Sequence, residues 1–389
     1  MIPIFVSLVM GATALAQTAS RQPEFSPLQE AAKEITAGQL QQAEKNLQFV
    51  LRSTPEDYRA LDLLGVVRVL QHQESKAEEL FGQVVKIKPD FAPGHAHLGL
   101  LYLRLNRAQD ALAELREALR IDPARTDAAQ ALVHILQDQA QKASQSGDWD
   151  SALNFLIEAR KYAGDNADVL YEFGFAALRR SLIDDAIKAF QETLKLRKND
   201  PLAVFYLGYA LLDRARFDDA RQQFAQYVEL RPDDPSGYGA LGMALAGLGR
   251  SDDARPQFEK SIALDPKQSE SYYQIGLLDL DAGNYDAATR NLLQANDIKP
   301  NDPTTLTALG RVEFEQKLYS EAISDLQEAV SQDNSLEEAH YYLGLTLARM
   351  GRKQESSEQL AIATQLEEDR KARGRRLLRL REPDNTAAK

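Results

Sequence analysis

Cysteine is absent from this chain of 389 residues, and tryptophan occurs once. Without cysteine the protein has no disulfide, no cysteine-ligated zinc, no iron–sulfur cluster and no thiol nucleophile. Basic residues are outnumbered, with 46 Lys and Arg against 58 Asp and Glu, and the net charge of −12 argues against nucleic-acid binding by the bulk of the protein. The chain is 44% hydrophobic and 27% charged, which is too apolar for a disordered protein.

An uncharged apolar run, IPIFVSLVMGATALA, occupies residues 2–16. It is short for a membrane span, and it ends in Ala-Leu-Ala, the small-x-small pattern of a signal cleavage site. We therefore predict a secretory signal over residues 1–16, cleaved between Ala16 and Gln17, a short leader over 17–23, and a periplasmic or secreted protein. No Lys or Arg precedes the run, which departs from the usual signal. An uncleaved membrane anchor and a cytoplasmic protein with an apolar start remain alternatives.

Glycine, alanine and proline recur at a fixed interval. Residues 63–89 read LLGVVRVLQHQESKAEELFGQVVKIKP, and residues 97–123 read HLGLLYLRLNRAQDALAELREALRIDP. In both, a large apolar residue and Gly are followed by a turn, an Ala, an apolar residue four positions later and a Pro. Ten such frames follow one another in steps of 34 residues, except for one step of 41. They begin at residues 24, 58, 92, 133, 167, 201, 235, 269, 303 and 337.

This pattern resembles that of the tetratricopeptide repeat family, whose period is 34 residues. The apolar–Gly pair stands at Leu64-Gly65, Leu98-Gly99, Phe173-Gly174, Leu207-Gly208, Leu241-Gly242, Ile275-Gly276, Leu309-Gly310 and Leu343-Gly344. The Ala that starts the second helix stands at Ala43, Ala77, Ala111, Ala152, Ala186, Ala220, Ala254, Ala288 and Ala322. Frames one and four lack the pair, Ser356 replaces the Ala in the last frame, and Asn334 replaces the late Pro in frame nine.

The resemblance implies an all-α fold, a right-handed α-solenoid of about ten tetratricopeptide helix–turn–helix repeats. A residue without bulk lets the two helices of a pair approach closely, and a Pro separates one repeat from the next. One pair cannot bury its apolar stripe alone, so neighbouring pairs must stack. The predicted array covers 24–370, with repeats at 24–57, 58–91, 92–125, 126–166, 167–200, 201–234, 235–268, 269–302, 303–336 and 337–370.

The fourth repeat is seven residues longer than the others. Seven residues are close to two helical turns, so the apolar face stays in phase. We predict a first helix of about 20 residues, roughly Asp127 to Ser146, that protrudes from one edge. It could be a docking spur, a seam between two sub-arrays or a tolerated insertion. Trp149 follows in the turn, where an aromatic packing residue is expected.

In the family, the first helix of each pair lines a concave face, and this implies a binding groove here. The side chains at those positions are apolar and often aromatic, which suits an extended peptide or an amphipathic helix. Alternatively, they pack against adjacent helices. None of the ninth positions is an Asn of the kind that chaperone-tail readers use. The predicted groove residues are Tyr171, Phe175, Phe205, Tyr209, Met243, Tyr273, Leu277, Phe314, Tyr341 and Leu345.

Charge is distributed unevenly along the chain. Residues 24–369 hold 37 basic and 56 acidic residues, whereas residues 370–381 hold seven basic residues and no acidic one. This segment could contact a membrane surface or an anionic polymer, or it could be a terminal capping helix in which Leu377 and Leu378 cover the last repeat. We predict a basic capping helix and tail over 371–389. The possible anionic-surface contacts are Arg370, Lys371, Arg373, Arg375, Arg376, Arg379 and Arg381.

The sequence offers little for catalysis. Residues 237–242 match GxGxxG, but the frame places them inside a helix, whereas a nucleotide site needs a preceding strand. His95 and His97 diverge on one helix, and no third metal ligand accompanies them. Acidic pairs such as Asp184-Asp185 fit helix starts. We predict no metal, no cofactor, no nucleic acid, and a non-enzymatic scaffold of the cell envelope or secreted space that binds a protein or peptide. The alternatives are an assembly factor for a secretion, pilus or polysaccharide machine, and a cytoplasmic adaptor.

Overall fold

A computed structural model describes residues 27–379, with side chains as far as Arg370. That part of the chain contains 20 α-helices and no strand, which confirms the all-α prediction. The helices are α1 Pro27–Thr36, α2 Leu40–Ser53, α3 Tyr58–Leu70, α4 Glu74–Ile87, α5 Ala92–Arg104, α6 Ala108–Ile121, α7 Thr126–Gln145, α8 Trp149–Tyr162, α9 Ala167–Arg179, α10 Ile183–Leu196, α11 Pro201–Asp213, α12 Phe217–Leu230, α13 Pro235–Gly247, α14 Ser251–Leu264, α15 Ser269–Asp281, α16 Tyr285–Ile298, α17 Pro303–Glu315, α18 Tyr319–Gln332, α19 Glu337–Arg349 and α20 Lys353–Arg379.

The helices divide between two compact units, residues 1–197 and residues 198–389. Helices α1 to α10 belong to the first unit, and α11 to α20 belong to the second. Within each unit, two consecutive helices form a pair, and each pair packs on the next one. The predicted helix–turn–helix architecture is therefore confirmed in both units. None of the helices between residues 27 and 379 is long and apolar enough to cross a membrane.

Acidic residues and prolines set the starts of several first helices. Asp57 Oδ1 accepts hydrogen bonds from the backbone N–H groups of Arg59 and Ala60, at 2.9 and 3.2 Å. Asp200 accepts the equivalent pair at the start of α11, where Pro201 is the first helical residue. A carboxylate satisfies N–H groups that have no partner in the helix, and Pro has no N–H to satisfy. The acidic first turns expected from Asp184 and its neighbours are also present.

The two helices of a repeat are joined by a turn in which one residue has a positive φ. Gly147 and Gly283 hold this position, with φ of 81° and 74°. Other repeats use residues with a Cβ at this position, such as Ala215 with φ of 52°. The following N–H closes the turn, because Arg216 N donates to the carbonyl of Leu211 at 2.9 Å. The turn geometry is thus kept even without glycine.

The apolar–Gly pair is explained by contact between the two helices of a repeat. Gly65 on α3 faces Phe81 on α4, whose side chain is fully buried. A Cβ built on Gly65 would lie 2.5 Å from Cε1 of Phe81, closer than real carbon atoms approach. The same geometry recurs with Gly242 against Phe258, and with Leu326 in place of the ring against Gly310. In the repeats that carry the apolar–Gly pair, the second helix therefore packs one large side chain onto a glycine of the first helix.

The insertion in the fourth repeat lengthens the first helix, as predicted. Helix α7 has 20 residues, whereas α5 and α9 have 13 each. Ala140, in the added part, is 2% exposed, so the first turn of the extension is packed. The last residues, from Gln141 to Gln145, are exposed or half-buried. The extension therefore ends at the surface of the first unit.

The basic segment does not begin a new helix within the described residues. Helix α20 runs without a break from Lys353 to Arg379, so residues 371–379 continue the second helix of the last repeat, whereas the sequence analysis predicted a separate cap. No Pro interrupts residues 353–379, and they are rich in Lys, Arg, Glu, Gln, Leu and Ala, which favour a helix. Ala363 is buried, and residues 364–370 are half-buried or exposed. The side chains proposed to cap the array, Leu377 and Leu378, lie outside the described side chains.

We expect the substitution Gly65→Ala to lower the free energy of unfolding by about 1–3 kcal/mol, because the added methyl group overpacks against Phe81. Gly82→Ala on the partner helix is the matched control, since no atom lies within 4 Å of its added Cβ. That control should raise the free energy by up to about 1 kcal/mol through helix propensity. Urea denaturation followed by circular dichroism measures both, and shifts of the same sign and size would contradict the close-approach role.

Candidate functional site

The first unit holds two of the predicted groove residues, both on α9. The ring centroids of Tyr171 and the fully buried Phe190 are 6.0 Å apart. The ring of Phe175 meets that of Trp149 edge-on at 5.7 Å, and the guanidinium of Arg179 lies 5.1 Å from the Trp149 ring centroid. Trp149 therefore has the packing role that the sequence suggested. Both groove residues are half-buried, so each combines packing with some exposed surface.

In the second unit, Phe205 and Tyr209 belong to an aromatic cluster. Phe205 lies 4.9 Å from Tyr209 and 4.6 Å from Tyr227, measured between ring centroids. Tyr209 also meets the buried ring of Phe224 at 5.3 Å. Burial, together with the nearby carboxylate of Glu270, raises the pKa of Tyr209 to about 12. These two residues therefore support the packing of α11 on α12 and offer only part of their surface to a ligand.

The remaining groove residues lie on α13, α15, α17 and α19. Tyr341 is 46% exposed, and Met243, Tyr273, Leu277, Phe314 and Leu345 are half-buried. Phe314 packs between aromatic rings, with centroids 6.0 Å from Tyr319 and 5.8 Å from Tyr342. Tyr341 is thus the most accessible of the predicted set.

A cavity of about 70 Å³ opens beside two of these residues. We call it the α15–α17–α19 pocket, and its lining includes Tyr273, Leu277, Thr307, Ala308, Arg311 and Glu338. Its volume suits one small apolar side chain rather than a cofactor. The structure thus brings Tyr273 and Leu277 together with Arg311 and Glu338, which the sequence analysis did not propose as site residues. One signal was present, because Arg311 is the one charged residue at a frame position where most of the other repeats carry apolar side chains.

Carboxylates outnumber the single guanidinium around this pocket. Arg311 contacts Asp281 at 3.2 Å and Glu338 at 3.4 Å, so two carboxylates share one positive charge. Burial raises the pKa of Tyr273 to about 12, and the carboxylates of Glu270, Glu338 and Asp302 act in the same direction. The local potential is therefore negative next to an apolar wall.

The glycine-rich run at residues 237–242 lies inside helix α13. A Cβ on Gly237 would lie 2.7 Å from Cδ1 of Tyr227, and one on Gly242 would lie 2.6 Å from Cε1 of Phe258. Both glycines therefore serve helix packing. A phosphate-binding loop needs a strand before the run, and the described residues contain no strand.

The two histidines considered as metal ligands, His95 and His97, each contact a carboxylate instead. His95 Nδ1 lies 2.7 Å from Glu114 Oε2, and that contact raises the pKa of His95. His97 and Asp62 are fully buried and joined at 2.8 Å, between α5 and α3. Between residues 27 and 370, no three His, Asp or Glu side chains are arranged to hold a metal ion.

Two carboxyl groups face each other inside the ninth repeat. Burial, and the neighbouring Asp325 and Glu321, raise the pKa of Glu313 to about 8. Its Oε2 is buried without a hydrogen-bond partner, and burial raises the pKa of Asp325 as well. A raised pKa of this kind is typical of an acid–base catalyst, but it also arises wherever two carboxyl groups share a helix interface.

In the eighth repeat, an amide hydrogen-bonds to the carboxylate that corresponds to Glu313. The residues at the corresponding frame positions are Asp279 and Asn291, and the Asn291 amide donates to Asp279 at 3.0 Å. Asp279 also pairs with Arg255 at 2.7 Å. The first repeat has the same arrangement, with Asn46 donating to Glu34 at 2.8 and 3.0 Å. In the ninth repeat a second carboxyl group replaces the amide, so nothing offsets the effect of burial, and the negative charge of Asp325 adds to it in raising the pKa of Glu313.

We expect Asp325→Asn to stabilise the protein by about 1–2 kcal/mol at pH 8 and by much less at pH 4.5. A carboxyl group whose pKa is higher in the folded state contributes its full stabilisation only when the pH is below its pKa in the unfolded state. That contribution is lost as the pH rises to the pKa of the folded state. The wild type should therefore lose stability between pH 4.5 and about 8, the range that the pKa of Glu313 defines. Urea denaturation across this pH range measures the effect. Glu315→Gln, an exposed change on the same helix, is the control, and an identical pH dependence in all three proteins would contradict the carboxyl pair.

Comparison with known proteins identifies the repeats. The model described as tetratricopeptide repeat matches residues 75–126, 138–201, 171–235, 205–269 and 240–303, and the model described as TPR repeat matches residues 310–351. No match was found among curated proteins.

Several solved structures are similar in fold at low sequence identity. A fragment of MamA from Desulfovibrio magneticus RS-1 is 21% identical, with a TM-score of 0.41 over 44% of this chain and 97% of that one. YrrB, described as a TPR protein with an unusual peptide-binding site, is 21% identical, with a TM-score of 0.39 over 50% and 96%. The TPR domain of P58(IPK) is 17% identical, with a TM-score of 0.31 over 84% and 98%. The repeat frame, the helix pairs and the family models agree, and the chain belongs to the tetratricopeptide repeat family.

Proposed function

We propose that this protein is a non-enzymatic scaffold that binds a protein or peptide segment on the first helices of its repeats. The observation that carries the proposal is the row of half-buried apolar side chains on α13, α15, α17 and α19, next to a pocket sized for one side chain. Exposed aromatic and leucine side chains of this kind contribute much of the binding free energy when a partner covers them and excludes water. An extended peptide or an amphipathic helix fits such a surface.

The accessible and the packed groove residues have different roles in this proposal. The contact surface is formed by residues that keep exposed area on α15 and α19, the two helices on either side of α17: Tyr273, Leu277, Tyr341 and Leu345. Phe205 and Tyr209 are assigned to support, since they pack on Phe224 and Tyr227. Changes at the supporting residues would weaken the fold and say little about binding.

A peptide selection tests the proposed surface. Peptides selected from a random library against the full chain should bind Tyr341→Ala at least about tenfold more weakly, which corresponds to about 1.4 kcal/mol. Leu293→Ala on the second helix α16 is the matched control, because Leu293 is 48% exposed and Tyr341 is 46% exposed. Affinities are measured by fluorescence anisotropy, with circular dichroism to verify folding. Peptides that bind both variants as tightly as the wild type would refute the surface.

We further propose that the scaffold acts in the periplasm or outside the cell. The support is the apolar run at residues 2–16 with its small-x-small end, which lies outside the described residues. Expression of the full chain with its own start should yield a mature protein that begins at Gln17, as determined by N-terminal sequencing of the envelope or secreted fraction. An intact Met1 on the purified protein would contradict processing.

A further inference from the structure

The second unit and the end of the chain carry opposite charges. Residues 198–369 contain 30 acidic and 16 basic residues, and within 269–338 the ratio is 14 to 4. Residues 370–381, RKARGRRLLRLR, contain seven basic residues and no acidic one. Opposite charges on separate surfaces of one chain attract two copies to each other when the surfaces can meet.

The acidic surface includes a specific apolar site. The α15–α17–α19 pocket has apolar walls from Leu277 and Ala308, and Glu338 stands at its edge. Glu270 is hydrogen-bonded by the neutral amide of Gln274 at 2.8 Å, so its charge is not cancelled by that contact. A ligand for this site therefore needs a small apolar side chain with positive charge beside it.

The basic segment has this chemistry. Leu377 and Leu378 follow Arg375 and Arg376 and precede Arg379, so each leucine has a cation within two positions. The helix that carries the segment also continues past the last contact that the described side chains make with the repeat. Ala363 is buried, Arg370 still contacts Glu337 at 3.3 Å, and the helix continues to Arg379. At 1.5 Å per residue, Arg379 lies about 24 Å along the axis beyond Ala363.

We propose that the α15–α17–α19 pocket binds the basic leucine segment, residues 370–381, of a second copy of this chain. A continuous helix does not fold back on the repeat from which it projects, so the occupant comes from another molecule. The contact joins two different surfaces, and a repeated contact of this type produces rings or open chains. The proposal uses part of the contact surface described under the proposed function, and therefore rests on that surface being accessible.

Sedimentation velocity on the full chain tests the proposal. We expect association that grows with protein concentration and weakens on the order of tenfold between 50 and 300 mM salt, because ion pairs between exposed groups are screened. A pocket variant, Glu270→Lys with Glu338→Lys, and a tail variant, Leu377→Ser with Leu378→Ser, should each be monomeric. Glu229→Lys, an exposed charge reversal on the second helix α12, is the control and should associate as the wild type does.

Mixing the two monomeric variants gives the decisive result. The tail variant keeps an intact pocket and the pocket variant keeps an intact segment, so the mixture should form a one-to-one dimer and stop there. A monomeric full chain, association that survives in both variants, or a mixture that stays monomeric while both variants are folded would each overturn the proposal. If the wild-type full chain is monomeric and still binds peptides at Tyr341, this inference is overturned and the proposed function stands.

Discussion

The close approach of two helices at a glycine is the contact on which the rest of the structure depends. In eight of the repeats, a large side chain on the second helix, Phe81 or Phe258 for example, fills space that exists only because the facing residue has no Cβ. This contact brings the two helices together, and the paired helices then present apolar surface that only another pair can cover. The groove residues are positioned by the same contact, because they lie on the first helices whose separation it determines. The binding proposed for this surface would therefore depend on buried residues that are not part of the surface.

Polar groups between the helices show how closely this packing constrains electrostatics. Asp279 is stabilised by the amide of Asn291 and by Arg255, whereas Glu313 faces a second carboxyl group in the same type of position. The two repeats differ in one amide that is replaced by a carboxyl group. The amide stabilises a neighbouring carboxylate by a hydrogen bond, whereas the second carboxyl group makes ionisation of its neighbour less favourable. The raised pKa of Glu313 is thus explained by the residues packed around it, and it does not require a catalytic site.

Much of the fold could be predicted because its determinants are local and periodic. The 34-residue frame gave the helix pairs, the glycine contacts and the 20-residue helix α7, since an insertion of two turns keeps the apolar face in phase. The sequence did not show whether the basic capping helix is a new helix or a continuation of α20, because both have the same composition and differ only in a helix-stop signal between them. Turns at residues such as Ala215 gave no glycine signal, because the backbone there is imposed by the paired helices.

The candidate site was harder to predict, since a frame position does not say how far a side chain is packed. Phe205 and Tyr341 are both aromatic and occupy the same position in their repeats. Phe205 nevertheless packs among other aromatic rings, whereas Tyr341 is exposed. The outcome depends on the neighbouring helices, which vary from repeat to repeat. The pocket beside Arg311 arises in the same way, from three helices at once.

The contacts that hold neighbouring repeats together join residues that are close along the chain. The buried Asp62–His97 pair spans 35 positions, and the Arg311–Asp281 pair spans 30. Proteins with such local contacts fold quickly, because little chain entropy is lost before a contact forms. A repeat that leaves the ribosome can make its contacts with the next repeat as soon as that repeat has been synthesised. The chain can therefore fold progressively from its N-terminal end, one repeat at a time, without waiting for its last helix.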